Sequence, residues 1–194
     1  MTEQTFLMHD AFKEPLTKED FFCKKEEYLN YIENSQHSLI SSSNIYNLIN
    51  LVKREHYTIG PYKNISLFEA LNRIGSDLVL LNGAERLFNG EIKGILPDKI
   101  KLQMGSNRGF DFEVYAQDKI IYGEAFNAAE SFCKEKMRQA IHKLADKCKK
   151  DNLQTALIMV NDDVKTVLEN YNNEREIEMK DKTKFIKIYC STIK

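Results

Sequence analysis

The sequence lacks the features that mark exported and membrane proteins. It has no apolar run of about eighteen residues and no basic start followed by an apolar stretch, so we expect neither a membrane span nor a secretory signal. Cysteine is sparse, with no C-x-x-C motif among Cys23, Cys133, Cys148 and Cys190. These absences favour a cytoplasmic protein whose free thiols pack as small hydrophobic side chains.

The motifs of several large enzyme classes are also missing. No G-x-x-x-x-G-K-[ST], G-x-G-x-x-G or G-x-S-x-G occurs, which argues against the usual NTPases, dinucleotide enzymes and serine hydrolases. The histidines are scattered, without paired metal-ligand spacing. The 28 basic residues nearly balance the 29 acidic ones. This balance argues against a purely electrostatic nucleic-acid binder but allows a local basic patch.

The length of 194 residues suits one domain with an appendage. We predict an N-terminal arm and helical extension over residues 1–60 and an α/β core over residues 61–194, the two forming one compact unit. Within the extension, residues 1–16 are expected to form a loosely held arm and Thr17 to open a helix. The serine-rich residues 35–43 predict a loop, residues 44–54 a second helix, and Gly60-Pro61 a break in residues 57–64.

The core begins with the clearest helix signal. Ser66 and Glu69 form a capping box, and apolar residues then recur every three or four positions as far as Asn82-Gly83 or Asn89-Gly90. The period next changes to two, predicting strands over residues 99–104, 110–117 and 120–126. A helix over 128–150, a buried strand over 156–160, a helix over 162–171 and a strand over 184–192 follow. This order predicts a central mixed β-sheet flanked by helices.

The hairpin formed by the second and third predicted strands carries the chemistry. With a turn at residues 118–119, Glu113 lies opposite Glu124, and Asp111 shares their face. The opposite face is apolar and belongs to a core, so a slip of one residue would bury Glu124 among phenylalanines. Like charges opposite one another are destabilising. A solvated polar face would tolerate them, whereas a hard cation would relieve them: Mg²⁺, with Mn²⁺ as an alternative.

The segment FDFEVYAQDKIIYGEAFN resembles the core hairpin of the PD-(D/E)xK nuclease superfamily, which has the restriction-endonuclease-like fold. The resemblance covers about residues 66–161; Asp111 matches the first acid of the motif and Glu124 the second. It implies a Mg²⁺-dependent endonuclease acting on DNA, of restriction or defence type, with Glu113 assisting the two metal ligands. Phe126 occupies the usual lysine position. Some variants carry the lysine on the following helix, where Lys136 is the preferred candidate.

Further residues follow from the same resemblance and from charge. Glu69 matches an additional acid on the family's first helix, although the capping box already explains it. The helix over 128–150 has seven basic and three acidic residues, which suits a phosphate backbone or, equally, a solvated helix face. Arg108, Lys134 and Arg138 are candidate DNA contacts. Cleavage of both strands implies a homodimer. The alternative is a non-catalytic nucleic-acid-binding or assembly module on an inactive nuclease scaffold.

Overall fold

A six-stranded mixed sheet organises the chain in the computed structural model. The structure describes residues 11–34, 44–104, 109–117, 119–151, 155–171, 174–178 and 185–193. Over these residues the helices are α1 (Lys18–Asn34), α2 (Ile45–Lys53), α3 (Leu67–Phe88), α4 (Glu130–Asp151) and α5 (Lys165–Tyr171). The strands are β1 (His56–Ile59), β2 (Tyr62–Ser66), β3 (Lys99–Leu102), β4 (Phe112–Ala116), β5 (Lys119–Phe126), β6 (Thr155–Asn161), β7 (Glu174–Glu178) and β8 (Phe185–Ile193).

The strand order in the sheet is β3-β4-β5-β6-β8-β7. Strands β3, β4 and β5 are antiparallel, β6 runs parallel to β5, and β8 runs parallel to β6. The apolar run of β6 is buried along both faces, as its composition predicts for a parallel strand. The predicted α/β class with a mixed sheet flanked by helices is therefore confirmed.

Two hydrophobic clusters cover opposite faces of the sheet. Alternate side chains of β6 divide between them: Leu157 and Met159 join the cluster that contains α3, whereas Ile158 and Val160 join the cluster that contains α4 and α5. This alternation follows from the two-residue period of a strand. The carboxyl ends of β5 and β6 consequently lie between α3 on one side and α4 on the other.

The helix that begins after Ser66 extends past the first of its two predicted end points. The Ser66 hydroxyl accepts the backbone N–H of Glu69 at 3.2 Å, which confirms the Ser66 half of the predicted capping box; the described partner of the Glu69 carboxylate is Arg73. The helix passes through Asn82-Gly83 without ending and stops at Phe88. A Cβ at Gly83 would lie 2.1 Å from the Met159 sulfur, so the glycine permits close packing of α3 on β6.

The N-terminal extension shares a core with the sheet. Phe12, Phe21 and Tyr28 have no exposed surface, and Leu16 forms a β-bridge with Ile100 of β3. The prediction of a loosely held arm is thus wrong from Phe12 onward, because this segment buries an aromatic ring and satisfies backbone groups of the sheet. Residues 1–10, which complete that arm, and the serine-rich residues 35–43 lie outside the described part of the chain.

Two further predictions are corrected by short strands. Residues 57–64 were expected to be a break, but they belong to the β1–β2 hairpin, whose turn contains Gly60 with a φ of +53°. Strand β7, with the sequence EREIE, was not predicted at all. It pairs antiparallel with β8 at the edge of the sheet.

None of the helices in the described ranges has both the length and the apolar character needed to cross a membrane. The four cysteines are free thiols, and Cys133 and Cys148 are buried in the cluster under α4. These two therefore fulfil the expectation of small buried hydrophobic side chains.

One glycine of β5 fixes how the central hairpin packs. A Cβ at Gly123 would fall 1.9–2.4 Å from the ring of Phe112, which is itself only 1% exposed. We expect Gly123→Ala to lower the free energy of unfolding by about 1–3 kcal/mol, because the ring has little room to move. Urea unfolding followed by circular dichroism would measure the change.

The matched control combines this change with Phe112→Leu, which removes the ring. The two sites touch, so we expect the double variant to lose less stability than the sum of the two single losses. If the two stability losses simply added, contact with the Phe112 ring would not be the reason that residue 123 must be glycine.

Candidate active site

The register of the β4–β5 hairpin differs from the predicted one by two residues. Phe112 pairs with Gly123, Glu113 with Tyr122, and Ala116 with Lys119. Ala116 and Lys119 are thus the last pair before the turn, whereas the predicted turn at residues 118–119 would have placed Lys119 within it; residue 118 is outside the described part of the chain. Only this register stacks the Phe112 ring over a glycine. The predicted faces are confirmed for the paired residues of β4 and β5, because an even shift leaves each of their side chains on its original side. Phe110 was predicted on the apolar face with Phe112, but it packs on the opposite face against Tyr122.

The shift separates Glu113 from Glu124. Glu113 accepts the Tyr115 hydroxyl at 2.6 Å and lies 3.8 Å from the ammonium of Lys101 on β3. Across the residues that the structure describes, no group of three or more His, Cys, Asp or Glu side chains gathers as metal ligands do. The predicted cluster of three carboxylates is therefore not assembled, and Glu113 belongs to the polar surface of β3 and β4.

The same shift brings Asp111 and Glu124 together. The Asp111 N–H donates to the Gly123 carbonyl at 3.1 Å, and the Asp111 carboxylate accepts the backbone N–H of Ala125 at 2.8 Å, so Asp111 is held on both sides of Glu124 along β5. Glu124 is about 9% exposed. Its side chain points toward α4, where the ammonium of Lys143 lies 2.6 Å from Oε1.

The pKa values of both acids are raised, and burial is the largest cause for each. Burial and then the neighbouring charge of Asp111 raise the pKa of Glu124 to about 7, and Lys143 opposes the rise. Burial also raises the pKa of Asp111, against the Ala125 hydrogen bond and the charges of Lys143 and Lys136. Two neighbouring carboxylates that are shielded from solvent repel each other. The ammonium of Lys143 on α4 offsets this repulsion.

Three lysines of α4 lie along the sheet face that carries Glu124. Lys143 lies 5.1 Å from the Phe110 ring centre, Lys147 lies 4.9 Å from that of Tyr122, and Lys136 lies 5.5 Å from that of Phe126. The preferred catalytic lysine, Lys136, donates to the backbone carbonyl of Asn127 at 3.0 Å. The positive charge of Lys136 lowers the pKa of Asp111 without a described contact between the two side chains. Lys143, which was not predicted from the sequence, lies directly against Glu124.

A cavity of about 680 Å³ opens beside Asp111, between the first turns of α3 and α4. Its charged lining combines the predicted residues Glu69, Asp111 and Lys136 with Arg73 and Asp77. Glu69 pairs with Arg73 at 2.6 Å, and both side chains are more than two-fifths exposed. Glu69 thus lines the same cavity as Asp111, but its described ionic partner is on its own helix.

Asp77 lies at a buried point of this cavity lining. Oδ2 accepts the Tyr28 hydroxyl at 2.6 Å and also the hydroxyl of Tyr62. Burial raises the pKa of Asp77 to about 6, and the charge of Asp111 adds to the rise. Glu69 and Arg73 form a surface ion pair of i+4 spacing, whereas Asp77, four residues further along the helix, faces the tyrosines.

The raised pKa of Asp77 predicts a pH-dependent stability. The folded protein keeps a proton that the unfolded chain releases between about pH 4 and pH 6, so this group's contribution to stability falls as the pH rises through that window. Asp77→Asn keeps an acceptor for both tyrosines and removes the buried charge. Relative to the wild type, we expect the variant to gain about 2 kcal/mol between pH 4 and pH 7.

Urea unfolding of both proteins at a series of pH values measures this gain. A stability difference that stays constant from pH 4 to pH 7 would contradict the assignment of the buried charge to Asp77.

The predicted DNA contacts are at the surface or beyond the described residues. Lys134 is exposed on α4, and Arg138 is exposed and pairs with Glu135 at 2.9 Å. Arg108 lies outside the described part of the chain. Neither exposed residue contacts the acid pair.

No protein-family model, curated protein or solved structure matches this chain.

The two acids fit a divalent cation that completes its coordination with substrate and water. Glu124 Oε1 is fully shielded from solvent, and its described partner is the Lys143 ammonium at 2.6 Å. A buried carboxylate oxygen of this kind beside a second carboxylate is a hard donor set. Mg²⁺ is commonly held by one or two carboxylates together with substrate phosphate oxygens.

Proposed function

We propose that this protein is a metal-dependent endonuclease that hydrolyses DNA phosphodiester bonds on a restriction-endonuclease-like core. The observation that carries the proposal is the half-buried Asp111 beside the buried Glu124, with the Lys143 ammonium 2.6 Å from Glu124. Two acids and a lysine at the end of a β-hairpin provide the ligand set and positive charge that phosphodiester hydrolysis needs.

The order of the elements supports this proposal. Helix α3, strands β3 to β5, helix α4 and strand β6 follow one another along the chain, and β6 pairs in parallel with β5. This is the order that the resemblance to the PD-(D/E)xK superfamily implies around its two acids. Lys143 lies on the helix that follows the hairpin, as expected of variants whose lysine has left the strand.

Asp111 and Glu124 would hold the metal ion. Mg²⁺ bound there would neutralise charge on the phosphate and lower the pKa of a bound water. The protein contributes a fixed geometry: the Ala125 N–H orients Asp111, and the strand directs Glu124 toward α4. Lys143 supplies a positive charge beside the reacting phosphate, where negative charge accumulates during hydrolysis.

Lys136 has a positioning role in this proposal. Its ammonium binds the Asn127 carbonyl and thereby ties α4 to the end of β5. The exposed bases Lys134 and Arg138 extend the positive charge of α4 along one side of the site, where a phosphate backbone can lie. The described part of the chain carries one such site, so coordinated cleavage of both strands would need two copies of the protein.

A plasmid cleavage assay tests the proposal. Supercoiled DNA is incubated with the protein and Mg²⁺ or Mn²⁺, with an EDTA control, and a panel of short linear and branched DNA substrates is run in parallel. We expect nicking or cutting that requires the divalent ion. Cleavage in EDTA, or none of any substrate with either ion, would contradict the proposal.

A second candidate is a non-catalytic module that binds nucleic acid on the same scaffold. Phe126 favours this candidate, because an aromatic ring occupies the position where the family's lysine normally stands. The nearest described ammonium to that ring is Lys136, 5.5 Å from its centre. The same assay separates the two candidates: metal-independent binding without cleavage favours the module.

A further inference from the structure

The cavity next to Asp111 has an aromatic side chain at each of the helix ends that form it. Phe132, in the first turn of α4, is 66% exposed, and Phe68, in the first turn of α3, is 52% exposed. Large aromatic rings at this level of exposure carry a cost in water unless something covers them. Both line the cavity that contains one of the two proposed metal ligands.

The platform that carries Phe132 is held rigidly. The Asn161 side chain accepts the Ala128 N–H at 2.8 Å and donates to the Ala128 carbonyl at 3.2 Å. Ser76 accepts the Asn127 N–H at 3.3 Å, and Lys136 binds the carbonyl of that residue. The segment before α4 is thus tied to α3, to β6 and to α4 itself, so the ring is presented in a fixed place.

Polar groups in the cavity match the edges of nucleobases. The amide side chains of Asn72 and Gln103 line it, and amides offer both a donor and an acceptor to a base edge. The guanidinium of Arg73 lies 5.5 Å from the Tyr62 ring centre and presents a second flat surface. The cavity volume falls within the range of about 300–1,000 Å³ that is typical of small-molecule sites.

We infer that this cavity receives an unstacked base, and hence that the protein acts on single-stranded DNA or on unpaired segments rather than on an intact duplex. An intact duplex stacks its base faces internally and offers only base edges and phosphates, so it would leave Phe132 uncovered. In a single strand, the free face of a base can stack on an aromatic ring. The inference rests on the proposed function, since Asp111 belongs both to the cavity and to the acid pair.

The test measures binding without cleavage. Fluorescence anisotropy in EDTA compares a labelled 12-nucleotide single strand with the duplex of the same sequence. We expect the wild type to bind the single strand at least tenfold more tightly. Phe132→Ala should weaken single-strand binding about tenfold, whereas Phe132→Trp, which keeps a stacking surface, should retain it.

Tyr46→Ala is the matched control, because Tyr46 is an 80% exposed aromatic residue on α2. We expect it to leave single-strand binding unchanged. Equal or tighter binding of the duplex, or no effect of Phe132→Ala, would overturn the inference even if the plasmid is cut. Single-strand preference that depends on Phe132, in a protein that cuts nothing, would uphold the inference and contradict the nuclease proposal.

Discussion

Replacement of Glu124 by glutamine is expected to reduce metal-dependent DNA cleavage by a factor on the order of 10²–10³. Glutamine keeps the shape of the side chain but has no charge with which to hold a divalent ion or to balance Lys143. Single-turnover cleavage at saturating Mg²⁺ measures the effect. Thermal unfolding of the same preparation, followed by circular dichroism, establishes that the variant is folded.

The control for this variant lies two positions from Asp111 on the same sheet face. Glu113→Gln removes an identical charge from the neighbouring strand, but Glu113 is engaged with Tyr115 and Lys101. We expect its cleavage rate to equal that of the wild type. If both glutamine variants lost activity equally, the sheet face would act through its total charge, and the specific pair Asp111–Glu124 would not be the site.

The second large effect concerns the lysine. We expect Lys143→Met to slow cleavage by a factor on the order of 10², because it removes the positive charge beside Glu124 and the proposed phosphate position. Methionine keeps much of the aliphatic length that crosses the Phe110 ring. Lys143→Arg should retain most of the activity, since it preserves the charge.

Lys136→Met is the matched variant on the same helix. Its ammonium binds a backbone carbonyl rather than an acid, so we expect its loss to slow cleavage less than tenfold. The same single-turnover assay ranks the two lysines. A larger loss for Lys136→Met than for Lys143→Met would return the catalytic role to Lys136.

The sequence predicted the elements around the site because local patterns specify them. The two-residue period of residues 110–126 placed the acids on one face, and the cap at Ser66 marked the start of α3. The register was predicted wrongly because an even slip leaves the alternation of side chains unchanged. The contact between Phe112 and Gly123, which decides the register, could have been used as a signal, since a bulky ring favours a glycine across the strand pair.

The contacts of Lys143 and Asp77 depend on the tertiary structure, which no local sequence pattern specifies. Lys136 and Lys143 are seven residues apart and share a helix face, so sequence alone could not tell which one passes over Glu124. The position along α4 is set by the ties from Asn161 and Ser76 to residues 127–128. Asp77 is a charged residue in a predicted helix, and its burial arises only when α1 and the β1–β2 hairpin bring Tyr28 and Tyr62 against α3.

Strands β1, β2 and β7 were missed for a different reason. They are four or five residues long, and the sequences beside or within them carry Gly-Pro or alternating charge, which normally indicate loops and surface helices. Such strands gain their stability from pairing with a neighbouring strand. This pairing cannot be seen in the sequence of either segment alone.

The central claim is that Asp111 and Glu124 together hold one divalent ion. Calorimetric titration with Mn²⁺ measures this directly, with wild type, Asp111→Asn, Glu124→Gln and Glu113→Gln compared at the same pH and ionic strength. We predict one ion per chain for the wild type and for Glu113→Gln, and loss of that binding in both other variants. Unchanged Mn²⁺ affinity in Asp111→Asn and Glu124→Gln would contradict the account.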